Sequence, residues 1–184
     1  MKEPKQLYFI AIVPPEPIYS QIAEFKAHMA KQYNSKAALN SPPHITLHMP
    51  FRWDEEKEEK IFCTLENLTG NRQAFALSLE NFGAFKPRVI YVDLHRQPAL
   101  EDLHDDLKKE MKISLNIFNA DYKDRGFNPH MTLAFRDLKK PAFFDAWKEF
   151  ESKEFNASFT ADKIALLKHN GKNWDVYREF PLKK

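Results

Sequence analysis

Glycine is scarce in this chain: Gly70, Gly83, Gly126 and Gly171 are the only four in 184 residues. A dinucleotide loop or a Walker-type phosphate loop needs clustered glycines so that the backbone can approach a phosphate, and this spacing excludes both. Cysteine is scarcer still. Cys63 stands alone, so an internal disulfide and a cysteine-built zinc site are excluded, and its expected role is that of a small apolar residue on a helix. An excess of one charge is also missing. Lys plus Arg number 28 against 26 Asp plus Glu, a net charge of +2, too little for the broad basic face of a general nucleic-acid binder. A small anionic ligand in a local pocket remains compatible. The first apolar run, Leu7 to Val13, stops at Pro14-Pro15, too short to span a membrane and poorly shaped for a signal peptide. The expectation is a cytoplasmic protein with no membrane partner and no obligate protein partner. With 43% apolar and 29% charged residues, the whole chain, 1–184, is expected to fold as one domain of two interleaved lobes.

Periodicity supplies the elements. Leu7 to Val13 reads as a strand, and Ile18, Ile22, Phe25, Met29 and Tyr33 recur at helical spacing. Ile45, Leu47 and Met49 alternate with His44, Thr46 and His48, the period of a half-buried strand. Asp54 is placed to cap a helix carrying Ile61, Leu65 and Leu68, which ends near Gly70. Phe75 to Leu79 and Val89 to Leu94 read as an antiparallel pair, and Pro98 opens a helix with Leu100, Leu103, Leu107 and Met111. Met131, Leu133 and Phe135 alternate with His130, Thr132 and Ala134. A short helix follows (Phe143, Trp147, Phe150), then strands at Phe155 to Thr160, Lys163 to Lys168 and Trp174 to Phe180. Strands and helices thus fall into two similar halves, an α+β pattern.

One pattern occurs in both halves. "PHITL" begins at Pro43 and "PHMTL" at Pro129. On a strand, residues two apart share a face, about 6.6 Å from one another, so His44 neighbours Thr46 and His130 neighbours Thr132. If the halves pack about an approximate twofold axis, two imidazoles and two hydroxyls converge on one ligand. Phosphodiester cleavage needs a base for the attacking oxygen and an acid for the leaving one. Near neutral pH one histidine can be neutral while another is protonated, and threonine hydroxyls can donate to phosphate oxygens. No metal or other cofactor enters this scheme. A lone His-x-Thr is usually only strand and surface; the matched pair is what points to chemistry.

His48, four residues beyond His44, shares its face by alternation but lies too far along the strand to bind one ion with it, and reads as a cleft-edge or packing residue. His28, His95, His104 and His169 read as surface residues. "KDRG", from Lys123 to Gly126, reads as a polar turn.

The two His-x-Thr copies, together with "FGAFKPRVIYVDL" (Phe82 to Leu94), "FNPHMTLAF" (Phe127 to Phe135) and "NGKNWDVYREFPL" (Asn170 to Leu182), resemble the 2H phosphoesterase superfamily, in its 2′-5′ RNA ligase-like and cyclic phosphodiesterase branch. The resemblance runs from Leu7 to Leu182. It implies a bilobal fold with two antiparallel sheets, flanked by helices, around a central cleft, and catalytic roles for His44, Thr46, His130 and Thr132. It also implies action on 2′,3′-cyclic phosphates of RNA ends or nucleotides, on ADP-ribose cyclic phosphate, or on 2′-5′ linkages, in either direction.

Phe51, Trp53, Phe85, Tyr91 and Phe127 lie beside the motifs or their neighbouring strands and can stack a base, though most aromatics in such a chain are core. Arg52, Arg88, Arg125 and Arg136 are candidate phosphate contacts. Phe51, Arg88, Tyr91 and Phe127 form the preferred substrate-binding set. The rival function is a non-catalytic RNA- or nucleotide-binding module using the same cleft.

Overall fold

The apolar run near the N-terminus does form a strand, β1 (Gln6–Ile12), in a computed structural model that describes residues 5–118, 120 and 126–184. Pro14, Pro15 and Pro17 end it, and α1 (Ile18–Tyr33) follows, burying Ile18, Ile22, Lys26 and Met29 at helical spacing and closing at Asn34 in the left-handed conformation. Asparagine accepts that conformation at a helix C-terminus because its short side chain tolerates positive φ. A short 3₁₀ turn (Ala37–Asn40) leads into β2 (Ile45–Trp53). Asp54 caps a second 3₁₀ turn through the Glu56 amide, and α2 (Glu58–Thr69) continues from it to Gly70. The hairpin β3 (Phe75–Phe85) and β4 (Val89–Leu94) precedes α3 (Pro98–Leu115), which has proline in its first turn and Asn116 as a left-handed cap. Then come β5 (Met131–Ala134), α4 (Lys140–Phe150), β6 (Asn156–Ala161), β7 (Lys163–His169) and β8 (Trp174–Pro181).

The strands run in the order β6-β3-β4-β5-β2-β1-β7-β8, with antiparallel neighbours throughout. This order is symmetric about the β5–β2 junction: β4 corresponds to β1, β3 to β7 and β6 to β8. The two expected antiparallel sheets are thus the two four-stranded halves, and the Ile45↔Met131 pair joins them into one sheet of eight.

The faces differ. The main core draws Tyr8, Ile10, Ile12, Ile45, Leu47, Met131 and Leu133 from the sheet and packs them against apolar residues of α1, α2, α3 and α4, such as Ile22, Leu65, Leu107 and Phe143. A smaller cluster of Phe9, Ala11, Ala165 and Leu167, with Val13 and Trp174 against it, occupies the opposite face. Among the described residues the helices cover only the first face. The second carries the site.

Three sequence expectations are corrected. His48 does not share the face of His44: β2 holds extra residues relative to β1, so Ala11 pairs with Thr46 but Ile10 pairs with His48. That bulge turns His48 into the core, fully buried and against Phe51. Cys63 is exposed, because the buried side of α2 is set by Ile61, Phe62, Leu65 and Leu68. His104 is buried on α3 beside Leu100, Leu103 and Leu107 rather than at the surface.

Candidate active site

The junction of β2 and β5 decides the geometry. Ile45 and Met131 are paired and both point into the core, with no exposed surface. Their neighbours therefore point to the helix-free face. In antiparallel register, one step outward from that pair sets His44 across from Thr132, and one step the other way sets Thr46 across from His130. By this register each histidine falls opposite the threonine of the other motif. Side chains directly opposite on paired strands lie about 5 Å apart and diagonal ones roughly 7–8 Å, so the two imidazoles stand diagonally across the junction, near enough for the charge of His130 to act on His44. All four side chains are half-buried.

Both histidines are held by the same device. His44 Nδ1 lies 2.7 Å from the Pro42 carbonyl oxygen, and His130 Nδ1 lies 2.7 Å from that of Asn128. A carbonyl only accepts, so Nδ1 carries the hydrogen of each neutral ring and Nε2 is left to take or give a proton. Pro43 and Pro129, both buried, fix the chain between each carbonyl and its histidine.

The electrostatics of the two rings differ. Burial lowers His44 to about 4; the Pro42 hydrogen bond opposes this, while the charges of Lys26 and His130 add to it. Burial also lowers His130, opposed by the Asn128 hydrogen bond and by the Asp93 carboxylate. Lys26 is itself buried on α1, and its ammonium donates to the Ser41 carbonyl at 2.7 Å, just ahead of the turn that carries His44. That burial lowers Lys26 to about 8. Asp93 stands two residues beyond Tyr91 on β4, which places both on the site face.

An aromatic wall backs each ring. Phe9 lies 4.9 Å from His44, centroid to centroid, and Tyr91 lies 4.9 Å from His130. Phe85 completes the second wall, 5.1 Å from His130 and 4.6 Å from Tyr91. Tyr91 is paired with Thr132 on one side and Gly83 on the other. A Cβ at Gly83 would stand 2.3 Å from the Tyr91 ring, so the absent side chain is the space the tyrosine occupies.

The preferred substrate-binding residues scatter. Tyr91 lies in the site. Arg88 is exposed on the β3–β4 turn, its amide donating to the Phe85 carbonyl at 2.9 Å. Phe51 belongs to the main core, stacked on Tyr8 at 5.9 Å. Phe127 stacks flat on His104 at 3.9 Å, and its carbonyl accepts from Arg96. The Trp53 indole donates to the Lys57 carbonyl, and Arg136 lies over the Phe135 ring. Arg125 and most of the "KDRG" turn lie outside the described residues. Phe9, Lys26 and Asp93 were not singled out from sequence. A lysine in the apolar stripe of α1 was a readable signal; the facing of Phe9 and Asp93 needed the strand pairings.

Comparison with known proteins agrees with this architecture. The profile of the 2′-5′ RNA ligase superfamily matches residues 14–173. A Geobacillus kaustophilus protein, provisionally named a phosphoesterase, is 31% identical over 177 residues, 94% of each chain. A relative from Geobacillus sp. WCH70 with the same kind of name is 30% identical over 177 residues, again 94% of each. Among solved structures, E. coli LigT complexed with 3′-AMP superposes with a TM-score of 0.70 at 23% identity, covering 99% of this chain and 100% of the other. TT0787 of Thermus thermophilus gives 0.69 at 20% identity, covering 97% and 98%. At these identities the structural likeness establishes the fold. The chain belongs to the 2′-5′ RNA ligase superfamily, the 2H phosphoesterases.

Proposed function

We propose that the protein is a phosphoesterase that hydrolyses 2′,3′-cyclic phosphates of RNA ends or nucleotides, or acts on 2′-5′ phosphodiester linkages, using His44 and His130 as the acid-base pair and Thr46 and Thr132 to hold the phosphate. The Ile45↔Met131 pairing, which brings the two motif strands side by side, is the observation that carries this reading. One Nε2 removes a proton from water as its oxygen attacks phosphorus. The bond from phosphorus to one ribose oxygen breaks, and that oxygen takes a proton from the other Nε2. The pair ends with its proton on the opposite ring, and exchange with solvent restores it. The threonine hydroxyls donate to the non-bridging oxygens, where charge accumulates. Asp93 beside His130 and Lys26 beside His44 bias the shared proton toward His130 in the free protein.

Hydrolysis is the favoured direction, because water is abundant and the sequence holds no nucleotide-activating loop. The scheme routes no step through a metal or other cofactor. Its test is a panel of 2′,3′-cyclic nucleotides incubated with the protein and a chelator, the product isomer being identified by phosphorus NMR. Conversion to a single phosphomonoester isomer is expected. Binding of the nucleotides without conversion would leave the cleft a non-catalytic module.

A further inference from the structure

The helix-free face extends past the four polar side chains. β1 crosses it in regular alternation, paired without a shift to β7 from Tyr8↔Lys168 to Ala11↔Ala165. Ala11, opposite Thr46, and Phe9 belong to this face, and two residues further Leu7 comes opposite Arg52. On β7, Leu167 lies beside Phe9, and His169, two residues on, pairs with Trp174 of β8. The half-buried Trp174 ring stands edge-on to Phe9 at 4.8 Å and to His169 at 4.9 Å. Beyond it opens a concavity of about 450 Å³ with Lys5, Leu7, Arg52, His169 and Gly171 in its walls. From Ala11 to Leu7 is four strand residues, roughly 13 Å.

The walls of this concavity carry three cations, Lys5, Arg52 and Lys168, and one carboxylate, Asp175. Lys168 is ion-paired with Glu55 and Glu58, and Asp175 accepts from the neutral Asn170 amide at 2.7 Å and keeps its charge, which leaves the positive side in excess by one. Arg52 gives one N–H to the Lys5 carbonyl at 3.3 Å, and neither Arg52 nor Lys5 makes an ion pair among the described residues. The face thus offers, in line, the two histidines, an indole, and an arginine with a lysine. An unstacked nucleic-acid strand presents groups in that order, with phosphates and bases alternating along it.

We propose that the concavity around Arg52 and Lys5 is a second subsite, for the phosphate of a neighbouring nucleotide, and that Trp174 stacks a base between the two. The substrate is then a single-stranded RNA chain ending in the cyclic phosphate rather than a free nucleotide. This rests on the function proposed above, and it adds which member of the substrate class the protein takes.

The test compares a trinucleotide RNA with the corresponding mononucleotide, both carrying a terminal 3′-phosphate for binding and a 2′,3′-cyclic phosphate for turnover. The wild-type protein is expected to bind the trinucleotide at least about tenfold more tightly, with a steeper dependence on salt. In Arg52→Ala combined with Lys5→Ala, the ratio of the two affinities falls toward unity, and each lost phosphate contact lowers the salt slope by about 0.7. Trp174→Ala lowers the ratio roughly tenfold, and Trp174→Phe, which keeps a stacking ring, restores most of it. Equal affinities in the wild type, or a ratio unchanged in the Arg52 and Lys5 variant, would overturn the subsite. The two proposals fail separately. A trinucleotide advantage without turnover of any cyclic phosphate refutes the hydrolase and keeps the subsite, whereas turnover with equal affinities does the reverse.

Discussion

His44 and His130 each sit below the ordinary imidazole range, and in the proposed mechanism this sets where the reaction runs. The productive free protein holds one proton on the pair. At low pH both rings are charged and the base is lost; at high pH both are neutral and the acid is lost. Because burial lowers both rings, the bell-shaped profile of kcat/KM is expected to centre on the acid side of about 6.5, the unperturbed histidine value. The bound cyclic phosphate is a monoanion that stabilises the imidazolium, so the profile of kcat should lie to the alkaline side of it. Rate measurements across pH at saturating and limiting cyclic nucleotide check both, and a kcat/KM maximum well above neutrality would refute the assigned environments. The threonines make a second prediction at this scale. Thr46→Val and Thr132→Val keep the β-branched shape and remove the hydroxyl, so each should fold normally and lose about 10- to 100-fold in kcat, measured with circular dichroism as the fold control. These four residues were legible in the sequence because strand alternation alone places His and Thr on one face. Phe51 was misassigned although its parity with Ile45 and Leu47 already placed it on the core side; the two register shifts in β2 cancel beyond His48, so its ring lies in the core. Pro50, which brings no amide to a ladder in mid-strand, was the available signal of those shifts.

The strands and helices that carry these residues have their own dependencies. β4 holds Tyr91 against His130 only because β3 presents Gly83 beneath it. Gly83→Ala is expected to push the ring out of place and lower kcat/KM about tenfold, at a cost of roughly 1–2 kcal/mol in stability. Kinetics with thermal melting measures both, and unchanged kinetics would show that the ring does not shape the site. Away from the site, α1 and α4 are tied through Glu149, which accepts from Tyr33, His28 Nε2 and Lys153. Against the cost of partial burial, these bonds hold the Glu149 carboxyl at about 2. A depressed carboxylate contributes stability that is complete above its unfolded value, about 4.3, and is lost as pH falls toward 2. Glu149→Gln should cost on the order of 1 kcal/mol at pH 7, a modest figure because the group is part-exposed. Denaturant melts from pH 7 to 2 should show the difference between variant and wild type shrinking below about pH 4. At this scale the sequence was legible where helical periodicity was unbroken, as in α1 and α3, and where a short apolar run marked a strand buried on both faces, as in β7. β3 runs past Leu79 because Asn81, at positive φ, takes up a register shift and the strand resumes at Phe82. Its alternation is interrupted without its pairing being lost.

The molecule as a whole is two similar halves whose central strands meet at one residue pair. The proposed acid-base chemistry is split between the halves and so depends on that junction: neither His-x-Thr strand holds both imidazoles, and the Ile45↔Met131 pairing is what brings the two strands together. The halves were legible from the repeated motif, whereas their fusion into a single eight-stranded sheet depends on the Ile45↔Met131 pairing, which no local pattern announces. Two histidines that act on one phosphate form a unit, and the losses from removing members of a unit do not multiply. The most direct measurement is therefore kcat on a 2′,3′-cyclic nucleotide for the wild type, His44→Ala, His130→Ala and the double variant. Each single variant is expected to lose about 10² to 10⁴ in rate, with the double variant no slower than the worse single one. Single variants that retain the wild-type rate, or a double loss equal to the product of two large single losses, would contradict the account.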